Sequence, residues 1–92
     1  MYLNFLARKI RSNISSEDLV PDDSDELFLL YALLARSVGS GVTAENVHDA
    51  WSIWMSSRDP SHPSLVPFSD LPAEKQKYDL PYLNAIKVSI ED

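Results

Sequence analysis

Both histidines and both tryptophans of this chain fall between Val47 and Asp79. His48 and Trp51, three residues apart, share one side of any helix that carries them, and Trp54 lies nearly a turn further on. His62 opens the segment HPSLVPF, which also holds Pro63, Pro67 and Phe68. An imidazole can act as a general base, a metal ligand or a hydrogen-bond strut. The two histidines with Asp49 or Asp59 would make a two-His, one-carboxylate metal set. The spacing does not compel that set, because no second histidine stands at i+4 from His48. Ser64, His48 and Asp49 supply the residue types of a hydrolase triad, yet the chain has no G-x-S-x-G elbow to present the serine. The reading adopted is structural. His62 donates to a backbone carbonyl and locks the proline loop. His48, Trp51, Trp54, His62, Pro63 and Phe68 are the ligand- or partner-binding candidates, lining an apolar groove with a few polar atoms. Trp51 is assigned to the core, and Trp54 suits core and interface equally. No catalytic residue, metal ligand or cofactor is assigned.

Composition narrows the field further. Ninety-two residues make one domain, 1–92, with enough chain for a modest core. The absence of cysteine removes disulfides, thiolate nucleophiles and cysteine metal sites, and it leans towards a cytoplasmic setting. Only two glycines, Gly39 and Gly41, argue against an all-β fold and against a glycine-rich phosphate loop. A net charge of −6 disfavours nucleic acid as a partner. The longest apolar run, Leu27 to Ala35, is about half of what spans a bilayer, so no transmembrane segment is expected. The N-terminus places apolar residues before its charges, the reverse of a signal peptide.

The elements that must position these residues are helical: four main helices, one short helix and an ordered proline-rich loop, an all-α bundle. Leu3, Leu6, Ala7, Ile10 and Ile14 recur at helical spacing over residues 1–14. Arg8, Lys9 and Arg11 make this helix basic, fit either to lie on a membrane or to pack on the core, and packing is favoured. Six acids between Glu17 and Glu26 raise a calcium loop, but the mid-loop glycine it needs is missing. The acids fit a helix start instead, with Asp23 as cap and Glu26 closing a capping box. Leu19 and Val20 of this connector are expected to tuck inward. The second helix, 26–38, is apolar nearly all round and therefore central, and Gly39 ends it in the left-handed conformation.

Thr43 caps a third helix to Ser57, with Val42 and Val47 as a hydrophobic staple. Val47, Ala50, Trp51 and Trp54 form its inward stripe, while Ile53 points elsewhere. Pro60, Pro63 and Pro67 exclude regular structure from Arg58 to Ser69, and Leu65, Val66 and Phe68 are expected to pin that loop against the tryptophans. A short charged helix follows from Pro72 to Tyr78. Asp79 then caps a last helix to Ile90, with Tyr78 and Leu83 as its staple and Leu83, Ile86 and Ile90 facing inward.

The sequence VHxxW, then HPSLVPF, then DLP and a charged stretch ending in Tyr-Asp resembles the ryanodine receptor repeat, or RyR domain. The matching positions are Val47, His48, Trp51, His62, Pro63, Leu65, Val66, Pro67, Phe68, Leu71, Pro72, Glu74, Tyr78 and Asp79, a motif region of 47–79 preceded by a helical extension, 1–41. The linker before HPSLVPF is shorter than in the receptor repeats and lacks their glycine-containing segment, and Leu80 replaces the usual Arg. The whole chain is also similar to small proteins of actinobacteria and their bacteriophages. The resemblance implies a non-enzymatic interaction module, phage-encoded and binding a host protein in the host cytoplasm. Its alternative implication is a sensor holding a small nucleotide-like ligand near the tryptophans. Self-association through the first or last helix is a third expectation.

Overall fold

The computed structural model describes residues 1–15 and 20–91. Five helices follow one another: α1 (Tyr2–Ser12), α2 (Asp25–Ser37), α3 (Ala44–Arg58), the short α4 (Ala73–Gln76) and α5 (Leu80–Glu91). Among the described residues, three 3-10 turns, Gly39–Gly41, Phe68–Asp70 and Lys77–Asp79, lie between them. No strand occurs among the described residues, and the all-α class stands.

α2 is the axis of the bundle. Leu27, Phe28, Tyr31, Ala32 and Ala35 are buried on it, and it packs against α1, α3 and α5. α1 contributes Ala7 and Ile10, α3 contributes Val47, Ala50 and Trp54, and α5 contributes Ala85 and Ile86 to the same core. Leu3, Leu6, Ile14, Val20, Leu83 and Ile90 pack around its edge. The apolar stripe of α1 is thus spent on the protein's own interior. Of the acidic connector, Ser16, Glu17, Asp18 and Leu19 lie outside the described residues.

Local signals fix several joints. Gly39 has φ +72° just past the end of α2, a conformation that costs a side chain-bearing residue. Thr43 accepts from the Asn46 amide while the Asn46 side chain accepts from the Thr43 amide, a reciprocal cap of two orphan donors. Val42 and Val47 are both buried beside it.

The start of α2 departs from expectation. Its N-cap is Ser24, which makes no side-chain cap bond, and Asp23 stands outside the helix with φ +56°. That left-handed turn is tolerable for Asp, and it is held from the far end of α3. The Arg58 guanidinium donates to the Asp23 carbonyl and lies 3.8 Å from the Asp23 carboxylate. The Asp23–Glu26 capping box is therefore replaced by a tertiary tie. Near the same end of the bundle, Asn13 donates to the buried Ser89 hydroxyl at 2.9 Å, joining α1 to α5.

Candidate functional site

His48 sits one turn into α3 and is buried, with 3% of its surface exposed. Its Nε2 lies 2.7 Å from the Val66 carbonyl. A carbonyl only accepts, so Nε2 carries the proton and donates it. Nδ1 then faces Asp79 Oδ2 at 3.7 Å, beyond hydrogen-bond length but within strong electrostatic reach. His48 thereby stands between two distant segments, the proline loop on one side and the corner before α5 on the other.

This geometry corrects two expectations. His62 does not donate to a carbonyl; its Nδ1 accepts the Ser64 amide at 3.0 Å, a bond within the loop. The histidine that locks the loop is His48. Nor do apolar side chains alone pin the segment, since Leu65 and Phe68 are only half-buried and Val66 is exposed. The loop is held by its backbone at Val66 and by the ring of His62, which stands edge-on to Trp51 at 5.1 Å. Gln76, a residue no sequence signal singled out, fastens the next turn by donating to the carbonyls of Phe68 and Leu71.

Asp79 departs from expectation as well. The Lys77–Asp79 turn runs directly into α5, and the flanking Gln76 and Leu80 have helical dihedrals. Asp79 sits inside a continuing helical path rather than at an N-cap, and Tyr78, its supposed staple, is 69% exposed. The freed carboxylate turns inward to His48. Burial raises its pKa to about 6, with His48 pulling it back only in part. Its negative charge also faces α2 and α5, where burial first and Asp79 in addition push the Tyr31 and Tyr82 hydroxyls upward.

An open cleft of about 460 Å³ lies in front of this pair, walled by α2, α3, the proline loop and the α4–α5 segment. His48, Trp51, His62 and Asp79 line it, joined by Leu27, Leu71, Tyr78 and Tyr82. Trp51 stacks on His48 at 5.5 Å with a 22° interplanar angle. From the segment that leads into α5 come Lys75, Tyr78, Asp79 and Tyr82, spaced i, i+3, i+4, i+7, with Lys77 and Pro81 beside them.

Of the two tryptophans, Trp51 departs from its expected place, and Trp54 takes one of the two open to it. Trp51, assigned to the core, is half-buried and lines the cleft. Trp54 is 5% exposed and belongs to the core, with the Arg58 guanidinium 4.2 Å above its ring. The core axis formed by α2 takes the Val47–Ala50–Trp54 edge of the stripe and leaves the His48–Trp51 edge outside. Pro63 is exposed and not among the lining residues, and Phe68 packs 6.1 Å from His48 without reaching the cleft. Asp49 is exposed, and Asp59 accepts the Ser61 amide, so neither carboxylate joins the two histidines. Among the described residues no three His, Cys, Asp or Glu side chains converge as a metal set would.

A family model described as a domain of unknown function, DUF7701, matches residues 1–91. The chain belongs to this family. Comparison with curated proteins and with solved structures finds no match. The matched span of the DUF7701 domain takes in every helix and the whole cleft. No described helix of the domain is long and apolar enough to cross a membrane.

Proposed function

We propose that the DUF7701 domain is a non-enzymatic recognition module whose cleft takes a small, flat, nucleotide-like ligand. The observation that carries this reading is how His48 is used. In a hydrolytic triad the carboxylate-paired imidazole keeps its second nitrogen free to take a proton from the nucleophile. Here that nitrogen, Nε2, is bound to the Val66 carbonyl at 2.7 Å. The His48–Asp79 pair is spent on holding the cleft open, with Trp51 and His62 as its ring surfaces. A concave, largely apolar cleft with a few polar groups suits a small ligand better than a flat protein partner. A small nucleotide-like ligand is also the alternative implication of the resemblance to ryanodine receptor repeats.

A protein partner, in a phage setting a host protein, is the second reading. It draws on a different surface. Met1, Tyr2 and Phe5 of α1 are all exposed, and Arg36 of α2 covers only the Tyr2 ring, at 5.3 Å. The two readings separate by measurement. Fluorescence titration of the wild type and of Trp51→Phe against a panel of nucleosides and nucleotides should quench the wild type and leave the variant nearly silent. No response across the panel, together with a partner retained by Trp51→Ala/His62→Ala but lost in Phe5→Ala, would replace the first reading by the second.

A further inference from the structure

We infer that the ligand of this cleft carries a negative charge: a flat aromatic ring bearing a carboxylate or phosphate, with the ring on Trp51 and the anion on Lys75 and Lys77. The inference rests on the cleft being a ligand site and adds the chemistry it selects.

Charge complementarity carries the argument. The chain as a whole has 14 acids against 8 lysines and arginines. The cleft reverses that balance, for its border holds two lysines and one carboxylate, Asp79. Lys75 precedes Asp79 by four residues, the spacing at which a helical ion pair normally closes. It does not close, because Asp79 is turned inward to His48. Neither Lys75 nor Lys77 has an ion-pair partner among the described residues. Glu74 and Asp70, the other acids nearby in sequence, do not line the cleft. Lys75 is half-buried and Lys77 exposed, and both line the cleft, as long side chains do when the stem is covered and the charge reaches solvent. Unpaired cations beside aromatic rings, on a protein that is otherwise acidic, form a local positive site that attracts an anion at close range. The ring half of the ligand is set by Trp51, which packs against the core, meets the His48 and His62 imidazoles at 5.5 and 5.1 Å, and lines the cleft with the surface that remains.

Carboxylate and phosphate share this chemistry, and the test separates them. The full chain is titrated by two-dimensional NMR with adenosine, adenosine 5′-monophosphate, inorganic phosphate, 3-methylindole and indole-3-acetate. At low salt at least one charged compound should bind about tenfold more tightly than its neutral parent, and that gain should shrink as salt is raised. Whichever pair shows the larger gain names the anion. In Lys75→Gln/Lys77→Gln the gain should vanish while the neutral rings still bind. Both side chains are accessible and unpaired, so an unchanged wild-type spectrum reports that the variant is folded. Neutral and charged rings binding equally to the wild type, or a gain that survives in the double variant, would overturn the inference and leave the cleft as a ligand site. Phosphate alone shifting the lysine region as strongly as the charged rings would reduce the site to a bare anion patch and overturn it too. No shift of the Trp51 indole with any compound would overturn the inference and the underlying ligand reading together.

Discussion

Trp51 and Trp54 lie nearly one turn apart on α3, yet they belong to different parts of the molecule. Around Trp54 every contact serves the interior. Its ring is buried among the side chains of the helical core, and Arg58 stacks on it while reaching across to Asp23 at the start of α2. Its indole N–H has no partner among the described residues, a cost accepted for the area the ring buries. Trp51 touches the same core only at its edge, meets two imidazoles, and lines the cleft with the rest of its ring. The first environment favours stability and the second leaves surface to be used. The difference shows that one helix can divide its aromatic stripe between a core and an open cleft, with the buried His48 as the hinge between them.

The largest way to break that division is on the core side. Trp54→Ala should cost about 3–5 kcal/mol, lowering the thermal midpoint by more than about 15 °C. A scan showing a loss of only a few degrees would move Trp54 out of the core. Next comes the hinge. His48→Ala removes a buried ring and leaves Asp79 facing a void, at about 2–3 kcal/mol. Hydrogen exchange should quicken at the Leu65 and Leu71 amides, which are protected in loop turns, more than at amides of α1. Uniform quickening would mean that His48 stabilises the whole fold rather than the loop.

Asp79 sharpens the same comparison through pH. Its folded pKa is raised to about 6 from 3.8. The folded state therefore favours the protonated carboxyl, and that contribution is complete below about pH 4 and lost as pH rises through 6. Asp79→Asn keeps a neutral side chain throughout. Its melting temperature relative to wild type should rise between pH 4 and pH 7, by the equivalent of about 1–3 kcal/mol. A difference that stays flat with pH would show that Asp79 is not held against ionisation. The smallest effect belongs to the cleft. Trp51→Ala should cost about 1–2 kcal/mol in chemical denaturation, because its ring is only partly buried. A cost equal to that of Trp54→Ala would erase the distinction between the two faces.

Much of the fold was legible because its signals are local. Gly39 after an apolar run, Thr43 before a helical start and the valine pair around it need only neighbouring residues to be read. The α1 stripe and the inward Ile86 follow from spacing alone. What could not be read is set by residues far apart. Which edge of the α3 stripe faces inward depends on how α2 crosses it, so spacing could not rank Trp51 against Trp54. Asp79 after Tyr78 carries the pattern of an N-cap, and only the helical turn at Lys77 shows that the carboxylate is free to face His48, 31 positions earlier. Asp23 likewise looks like a cap until Arg58 arrives from the end of α3. Spacing and the HPSLVPF segment place the histidines with Trp51, but the one that holds the loop is His48 rather than His62, because a backbone acceptor such as Val66 leaves no mark in the side-chain sequence. The cleft lysines stood out least, since a charged turn of helix usually faces solvent.

The central claim is that α3 gives Trp54 to the core and Trp51 to a ligand cleft. It is tested most directly by the two indole N–H resonances during titration with adenosine 5′-monophosphate. The account predicts that the Trp51 signal moves and saturates together with those of the His48 and His62 rings, while the Trp54 signal stays in place. Equal movement of both indoles, or a Trp51 signal that never moves, would contradict it.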